Sequence, residues 1–119
     1  MDNKEFGKKL EQRTKEFAIR IIKLSASLPS SSEGRVIKNQ ITKSGTSVGA
    51  NYREANRARS KGDFKNKIKI CESEASETVY WIEIIDDLDW VKPEEFQIII
   101  KEASEIVAIF TSIGKKLTL

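Results

Sequence analysis

Apolar positions recur along the whole chain at alternating spacings of three and four residues, which is the period of one helix face. The first stripe occupies a segment from about Lys4 to Leu28, and Pro29 with the serines after it ends that segment. The stripe consists of Leu10, Thr14, Phe17, Ile21, Leu24 and Leu28. A second segment starts behind Ser31 or Ser32, either of which is a suitable N-cap. Its stripe consists of Ile37, Ile41, Ser44, Val48, Asn51 or Tyr52, and Ala55.

The second half of the chain repeats this pattern twice. The run Ser60-Lys61-Gly62-Asp63 predicts a break, after which a third segment extends to about Asp89 and Trp90. Pro93 is suited to the first turn of a fourth helix. The third stripe consists of Phe64, Ile68, Cys71, Ala75, Thr78 or Val79, Ile82 and Ile85, and the fourth of Phe96, Ile99, Ile100, Ala103, Ile106, Val107, Phe110, Ile113 and Leu117. Residues 1–119 are therefore predicted to form a single all-α domain, an up-down-up-down four-helix bundle.

Gly45 and Gly49 stand in the middle of the second predicted helix, where glycine costs about 1 kcal/mol relative to alanine. They share one helix face, and small side chains there allow a second helix to approach closely. We interpret this face as a packing surface, either inside the bundle or against a neighbouring subunit. A phosphate-binding loop is not indicated, because no strand precedes the glycines and no Gly-Lys-Ser/Thr sequence follows them.

Further residues are assigned to helix packing or to a subunit interface. Glu54 and Glu77 have small or apolar neighbours, and we expect each to pair with an arginine in the interior. Trp81 is expected in the core or at an interface rather than as a platform for base stacking, since it lies in an acidic region. The packing and interface set is Gly45, Ser47, Gly49, Asn51, Glu54, Glu77 and Trp81.

The net charge of +3 conceals a strong segregation of charge along the chain. Residues 35–69 carry ten lysines and arginines and two acids, whereas residues 72–105 carry eleven acids and two lysines. Two explanations are open: adjacent helices or subunits attract one another, or the basic half binds nucleic acid. The candidate nucleic-acid-binding residues are Lys43, Arg53, Arg57, Arg59, Lys61, Lys65 and Lys69.

These cations are predicted to form one continuous positive surface around the connection between helices two and three. Lys43, Arg53 and Arg57 share a sector of helix two, and lysines follow at intervals of four residues along helix three. Such a surface binds phosphates and does not read sequence. No helix-turn-helix, zinc finger or aromatic RNA-recognition motif accompanies it, so base-specific recognition is not indicated.

Catalytic chemistry is poorly supplied. The chain has no histidine, and Cys71 lies on an apolar stripe without an imidazole to activate it. The run of glutamates from Glu72 to Glu83 is typical of a solvated or ion-paired face, so we predict no catalytic residue, no metal and no cofactor. No apolar run is long enough to span a bilayer, and the charged first residues show no secretory signal. With a single cysteine, the chain is expected in the cytoplasm and away from membranes.

Three ordered motifs resemble a known family. They are the run TSVGAN at residues 46–51 with Glu54 and Ala55, the run RARS at residues 57–60 with Asp63 and Phe64, and EA at 74–75 followed by ETVYW at 77–81. Together they resemble the four-helix-bundle proteins encoded in intervening sequences of bacterial 23S ribosomal RNA genes, which are also named as ribosomal-like proteins. The resemblance implies a ring-like homopentamer without enzymatic activity. It also implies kinship with the accessory proteins of diversity-generating retroelements, which bind nucleic acid and a reverse transcriptase.

Two hypotheses of function follow. The first is a non-enzymatic oligomer that binds structured RNA or another nucleic acid, without sequence specificity, through the basic surface of helices two and three. The alternative is a structural scaffold whose segregated charges serve only the assembly of subunits.

Overall fold

Four α-helices make up the fold. The computed structural model describes residues 2–117, and in this range α1 covers Asn3–Ala26, α2 Ser32–Ala55, α3 Lys61–Asp87 and α4 Pro93–Leu117. Residues 2–117 contain no β-strand. The prediction of an all-α chain with four helices is confirmed.

The helix starts follow from local capping chemistry. The hydroxyl of Ser31 accepts a hydrogen bond from the backbone N–H of Gly34 at 3.0 Å, so Ser31 is the N-cap of α2. Ser60 caps α3 in the same way through the N–H of Asp63. Pro93 is the first residue of α4, where its missing N–H costs no intrahelical hydrogen bond.

Two helices end slightly earlier than the apolar stripes indicate. α1 ends at Ala26, and the N–H of Leu28 donates to the carbonyl of Ser25 at 3.1 Å in a tight final turn. α3 ends at Asp87 because Asp89 adopts a left-handed backbone with φ 57°. The apolar side chains continue into both turns, so the stripes overestimate the length of these two helices.

Short connections make consecutive helices antiparallel neighbours, and the described part of the chain extends 44 Å along its long axis. Close backbone contacts join α1 to α2, α2 to α3 and α3 to α4, whereas α1 and α4 make few. The α2–α3 pair therefore lies opposite the α1–α4 seam. One end of the bundle holds the α2–α3 connection with the start of α1 and the end of α4. The other end holds the α1–α2 and α3–α4 connections.

The core consists of the four apolar stripes and a few hydroxyl groups. Thr14, Ser44 and Thr78 are buried, and Thr78 Oγ1 lies 2.9 Å from Ser44 Oγ, joining α3 to α2. Within residues 2–117 no buried side-chain nitrogen or oxygen lacks a hydrogen-bond partner. The fully buried large side chains are Phe17, Phe110, Ile21, Ile41, Ile68, Ile82, Ile85, Ile99 and Ile106.

The glycine face of α2 packs against α1. A β-carbon at Gly45 would lie 2.7 Å from Cγ2 of Ile21, and one at Gly49 would lie 3.0 Å from Oγ1 of Thr14. Both distances are shorter than ordinary van der Waals contact. Of the two alternatives, packing inside the bundle is the one that the structure shows.

We expect Gly45→Ala to destabilise the protein although alanine is the better helix former. The gain of about 1 kcal/mol in helix propensity is outweighed by about 1–3 kcal/mol of overpacking against the branched side chain of Ile21. Urea unfolding followed by circular dichroism measures the free energy of unfolding, which should fall by up to about 2 kcal/mol.

Gly114→Ala is the matched control. Gly114 also lies in a helix, but a β-carbon added there would have no atom within 4 Å, so alanine should leave stability unchanged or raise it by up to about 1 kcal/mol. Equal effects of the two substitutions would contradict the close approach of α1.

Candidate nucleic-acid interface

The α2–α3 connection presents a cluster of exposed cations. It spans residues 56–60 between the two helices, and Arg57 and Arg59 lie within it. Lys61 begins α3 and is exposed, and Lys65 follows one turn later, half-buried. None of these four cations forms an ion pair in the described part of the chain. Their charges are therefore available to an external anion.

The antiparallel topology adds cations that the sequence prediction did not include. The start of α1 and the last turn of α4 lie at the same end as the α2–α3 connection, and Leu117 lines a shallow pocket with Arg59 and Lys61. We define the basic end as Lys4, Lys8, Lys9, Arg57, Arg59, Lys61, Lys65, Lys115 and Lys116. These residues are far apart in sequence, so only the order of the helices could have grouped them.

Few acids offset this charge. Segments 2–9, 53–65 and 115–117 together carry ten basic and four acidic residues. Of these acids, Asp2 caps α1 by accepting the N–H of Glu5, and Glu54 accepts a hydrogen bond from Lys67 Nζ at 2.9 Å. At the opposite end, residues 23–38 and 83–95 together carry seven acids and four basic residues. The bundle is thus polarised along its long axis.

The predicted continuous surface is divided by the structure. Arg53 faces α1, with Nε 3.7 Å from Oε1 of Glu11. Lys43 lies ten residues earlier, about 15 Å along the axis. It is close to α3, where its positive charge opposes the rise that burial causes in the pKa of Glu74. Lys69 is exposed two turns beyond Lys61. Of the predicted cations, only those in the connection or at the start of α3 belong to the basic end: Arg57, Arg59, Lys61 and Lys65.

The residues assigned to packing or an interface lie at several places. Gly45 and Gly49 contact α1, whereas half-buried Ser47 and Asn51 hydrogen-bond within α2. The prediction of interior arginine partners for two glutamates is wrong. Glu54 is exposed and binds Lys67, because its sector of α2 faces outward at the edge of α3.

Glu77 is likewise exposed on α3. One of its carboxylate oxygens accepts a hydrogen bond from Nε1–H of Trp81 at 3.1 Å, four residues later on the same helix. Trp81 is half-buried and packs against the edge of the core. Its position therefore agrees with an edge-of-core or interface residue, and Glu77 orients its ring.

Cys71 is a core residue. Its side chain is buried, and Sγ–H donates to the carbonyl oxygen of Val48 at 3.4 Å. Burial raises the pKa of the thiol to about 12, so at neutral pH the group is not a thiolate nucleophile. Within residues 2–117 no group of three or more His, Cys, Asp and Glu side chains is arranged to hold a metal ion. In the same range, every helix is too short or too polar to cross a bilayer.

The buried thiol makes stability depend on alkaline pH. Unfolded cysteine ionises near pH 9, whereas the folded thiol keeps its proton up to a pKa of about 12. Above pH 9 the unfolded state binds fewer protons, so this group lowers the free energy of unfolding by up to ~1.4 kcal/mol per pH unit. We expect the stability advantage of the wild type over Cys71→Ala to shrink between pH 8 and pH 11. Urea unfolding of both proteins at each pH measures it, and a constant difference would contradict the buried, protonated thiol.

Comparison with known proteins agrees with the resemblance that the three motifs indicate. The sequence model of the family described as 23S rRNA-intervening sequence protein matches residues 8–112. The fold is similar, with a TM-score of 0.82, to the crystal structure of a protein of unknown function from the S23 ribosomal protein family of Bacteroides thetaiotaomicron. The two sequences are 39% identical over 88% of this chain and 97% of that chain. No curated protein matches the chain. The chain belongs to the family of 23S rRNA-intervening sequence proteins.

Proposed function

We propose that this protein is a non-enzymatic, oligomeric helical bundle that binds structured RNA through the basic end, by phosphate contacts and without reading base sequence. The observation that supports the proposal is the convergence of cations from α1, α3, α4 and the α2–α3 connection at one end of the bundle. Arg57, Arg59, Lys61 and Lys65 form its centre. The family and relative are described in terms of a 23S rRNA intervening sequence and a ribosomal protein family, which favours RNA among nucleic acids.

The chemistry of the basic end suits a phosphate backbone. Lysine and arginine side chains that contact phosphates release condensed counterions from the nucleic acid, which supplies affinity that falls with salt. The basic end has one exposed aromatic side chain, Phe6 among the lysines of α1, and Phe64 is half-buried against the core. It therefore has no row of aromatic side chains of the kind on which single-stranded binders stack successive bases. Binding should therefore depend on the charge and shape of the RNA rather than on its bases.

Assembly into a homopentameric ring is part of the proposal. If the ring axis runs parallel to the helices, every basic end lies on the same face of the ring. Five weak phosphate-binding surfaces would then act together, and avidity would exceed the affinity of one subunit without any new contact.

The scaffold alternative is supported by a different observation. Some cations of the basic half already form ion pairs inside the subunit: Lys67 with Glu54, and Arg53 with Glu11 at the longer distance of 3.7 Å. If the basic end is likewise used only between subunits, charge reversal there should break the oligomer rather than RNA binding.

We expect Arg57→Glu/Lys61→Glu to weaken RNA binding while the oligomer persists. Both side chains are exposed and unpaired, so the fold should be retained. Fluorescence anisotropy with a labelled RNA hairpin at 50–200 mM salt should show at least about tenfold weaker binding, with the salt slope reduced by about two phosphate contacts.

The control variant Arg35→Glu/Lys38→Glu makes the same change of charge at the other end of the bundle, far beyond a Debye length of about 10 Å from the basic end. It should bind RNA like the wild type. Equal loss in both variants would contradict a localised site. Dissociation of the oligomer in the first variant, with no RNA binding by the wild type, would favour the scaffold.

A further inference from the structure

A groove of about 1230 Å³ runs along the α1–α4 seam. Few backbone contacts join these helices, and the seam is bridged by long side chains, with Arg20 Nη1 3.3 Å from a carboxylate oxygen of Glu95. Ile98 is 51% exposed in the groove, and Ile19 and half-buried Trp90 line it as well. Large apolar side chains are thus left in solvent along one side of the bundle.

An aromatic pair lies on a different side of the bundle, on α3. Tyr80 on α3 is 53% exposed, and its ring packs edge-on against that of Trp81 with 5.0 Å between centroids. The hydrogen bond from Trp81 to Glu77 fixes the indole, so little side-chain freedom would be lost on burial. Exposed, rigid aromatic side chains of this kind are common anchors of protein interfaces.

The charges of the two surfaces are complementary. Glu77 and Glu83 flank Tyr80, three residues before and after it, and neither forms an ion pair within residues 2–117. The groove is lined by four cations and four carboxylates, and cations outnumber acids only among the groups without an ion pair within residues 2–117. Its cations Lys23, Lys92 and Lys101 have no ion pair in the same range. By contrast, three of the groove's four carboxylates are already bonded to Arg13 or Arg20.

Both surfaces also lie at the same height in the bundle. Tyr80 is seven residues from the end of α3 and Ile19 seven residues from the end of α1, each about 10 Å from the same end of the bundle. Ile98 is five residues from the start of α4, about 8 Å from that end. A neighbouring copy can therefore place its aromatic pair in the groove by a rotation about an axis parallel to the helices, with no shift along that axis. Contacts between different faces at equal height form a ring when the rotation from one copy to the next closes.

We infer that the α1–α4 groove binds the Tyr80–Trp81 pair of a second copy of this chain. The inference rests on the oligomer of the proposed function and assigns its two contacting faces. The aromatic rings lie against Ile19 and Ile98, and the flanking glutamates face the groove lysines. The contact uses two different faces of each subunit and leaves the basic end uncovered.

A mixing experiment tests this arrangement. Tyr80→Ala removes an aromatic ring that enters the groove and leaves the groove itself intact. Ile98→Glu places a negative charge in the groove and leaves the Tyr80–Trp81 pair intact. Both positions are at least half exposed, so the fold should survive, as circular dichroism will show. By light scattering after size exclusion, each variant should have the 13.5 kDa monomer mass, and their equimolar mixture should give a dimer of about twice that mass, through the one intact pair of faces.

The matched control is Phe6→Ala, which removes an exposed aromatic residue (42% exposed) at the other end of the bundle and should keep the wild-type mass. The inference is overturned if Tyr80→Ala keeps the wild-type mass or if the mixture stays monomeric. If either variant loses helicity, the charge reversals Glu83→Lys and Lys101→Glu replace the pair. Each alone should be monomeric, and their mixture should assemble beyond the dimer, because both contacts between alternating copies then pair opposite charges. A monomeric wild type would overturn the inference and the ring together, whereas RNA binding by the basic end is measured separately and stands or fails by itself.

Discussion

The close approach of α1 to α2 is the contact on which the remaining geometry depends. Without β-carbons at Gly45 and Gly49, α2 accepts Ile21 and Thr14 of α1 directly against its backbone. α1 is held at α2 and is joined to α4 mainly by long side chains, as where Arg13 Nη2 lies 2.7 Å from Oε1 of Glu102. The close α1–α2 contact and the open α1–α4 seam are therefore consequences of one packing arrangement. The same arrangement brings the lysines at the start of α1 to the end where Arg57 and Arg59 lie.

The four-helix topology separates two surfaces that need not compete. The basic end lies across the helix axes and combines charges from α1, α3, α4 and the α2–α3 connection. The aromatic pair and the groove lie on the long sides, nearer the opposite end. In the proposed ring, lateral contacts would leave the basic ends facing the same way. Under these two proposals the segregated charges would have two separate roles: the acids beside Tyr80 would act in assembly, and the cations at the basic end would bind RNA.

The fold was largely predictable because it is encoded locally. The apolar stripes place all four helices, Ser31 and Ser60 mark helix starts by their capping hydroxyls, and the paired glycines indicate a close helix contact. The site was less predictable because it depends on which segments meet. The lysines of α1 and α4 join the basic end only through antiparallel packing. Lys43 and Arg53 share a helical sector, yet they interact with different helices. Lys43 lies near Glu74 of α3, and Arg53 lies near Glu11 of α1.

The central claim is that RNA binds at one end of this bundle, and lysine footprinting tests it most directly. Free protein and RNA-bound protein would be acetylated at low salt and the modified lysines compared by mass spectrometry. We predict protection of Lys9, Lys61 and Lys116 and unchanged labelling of Lys38 at the opposite end. Protection should disappear at high salt, because it depends on phosphate contacts. Equal protection at both ends, or none at the basic end while RNA is bound, would contradict the account.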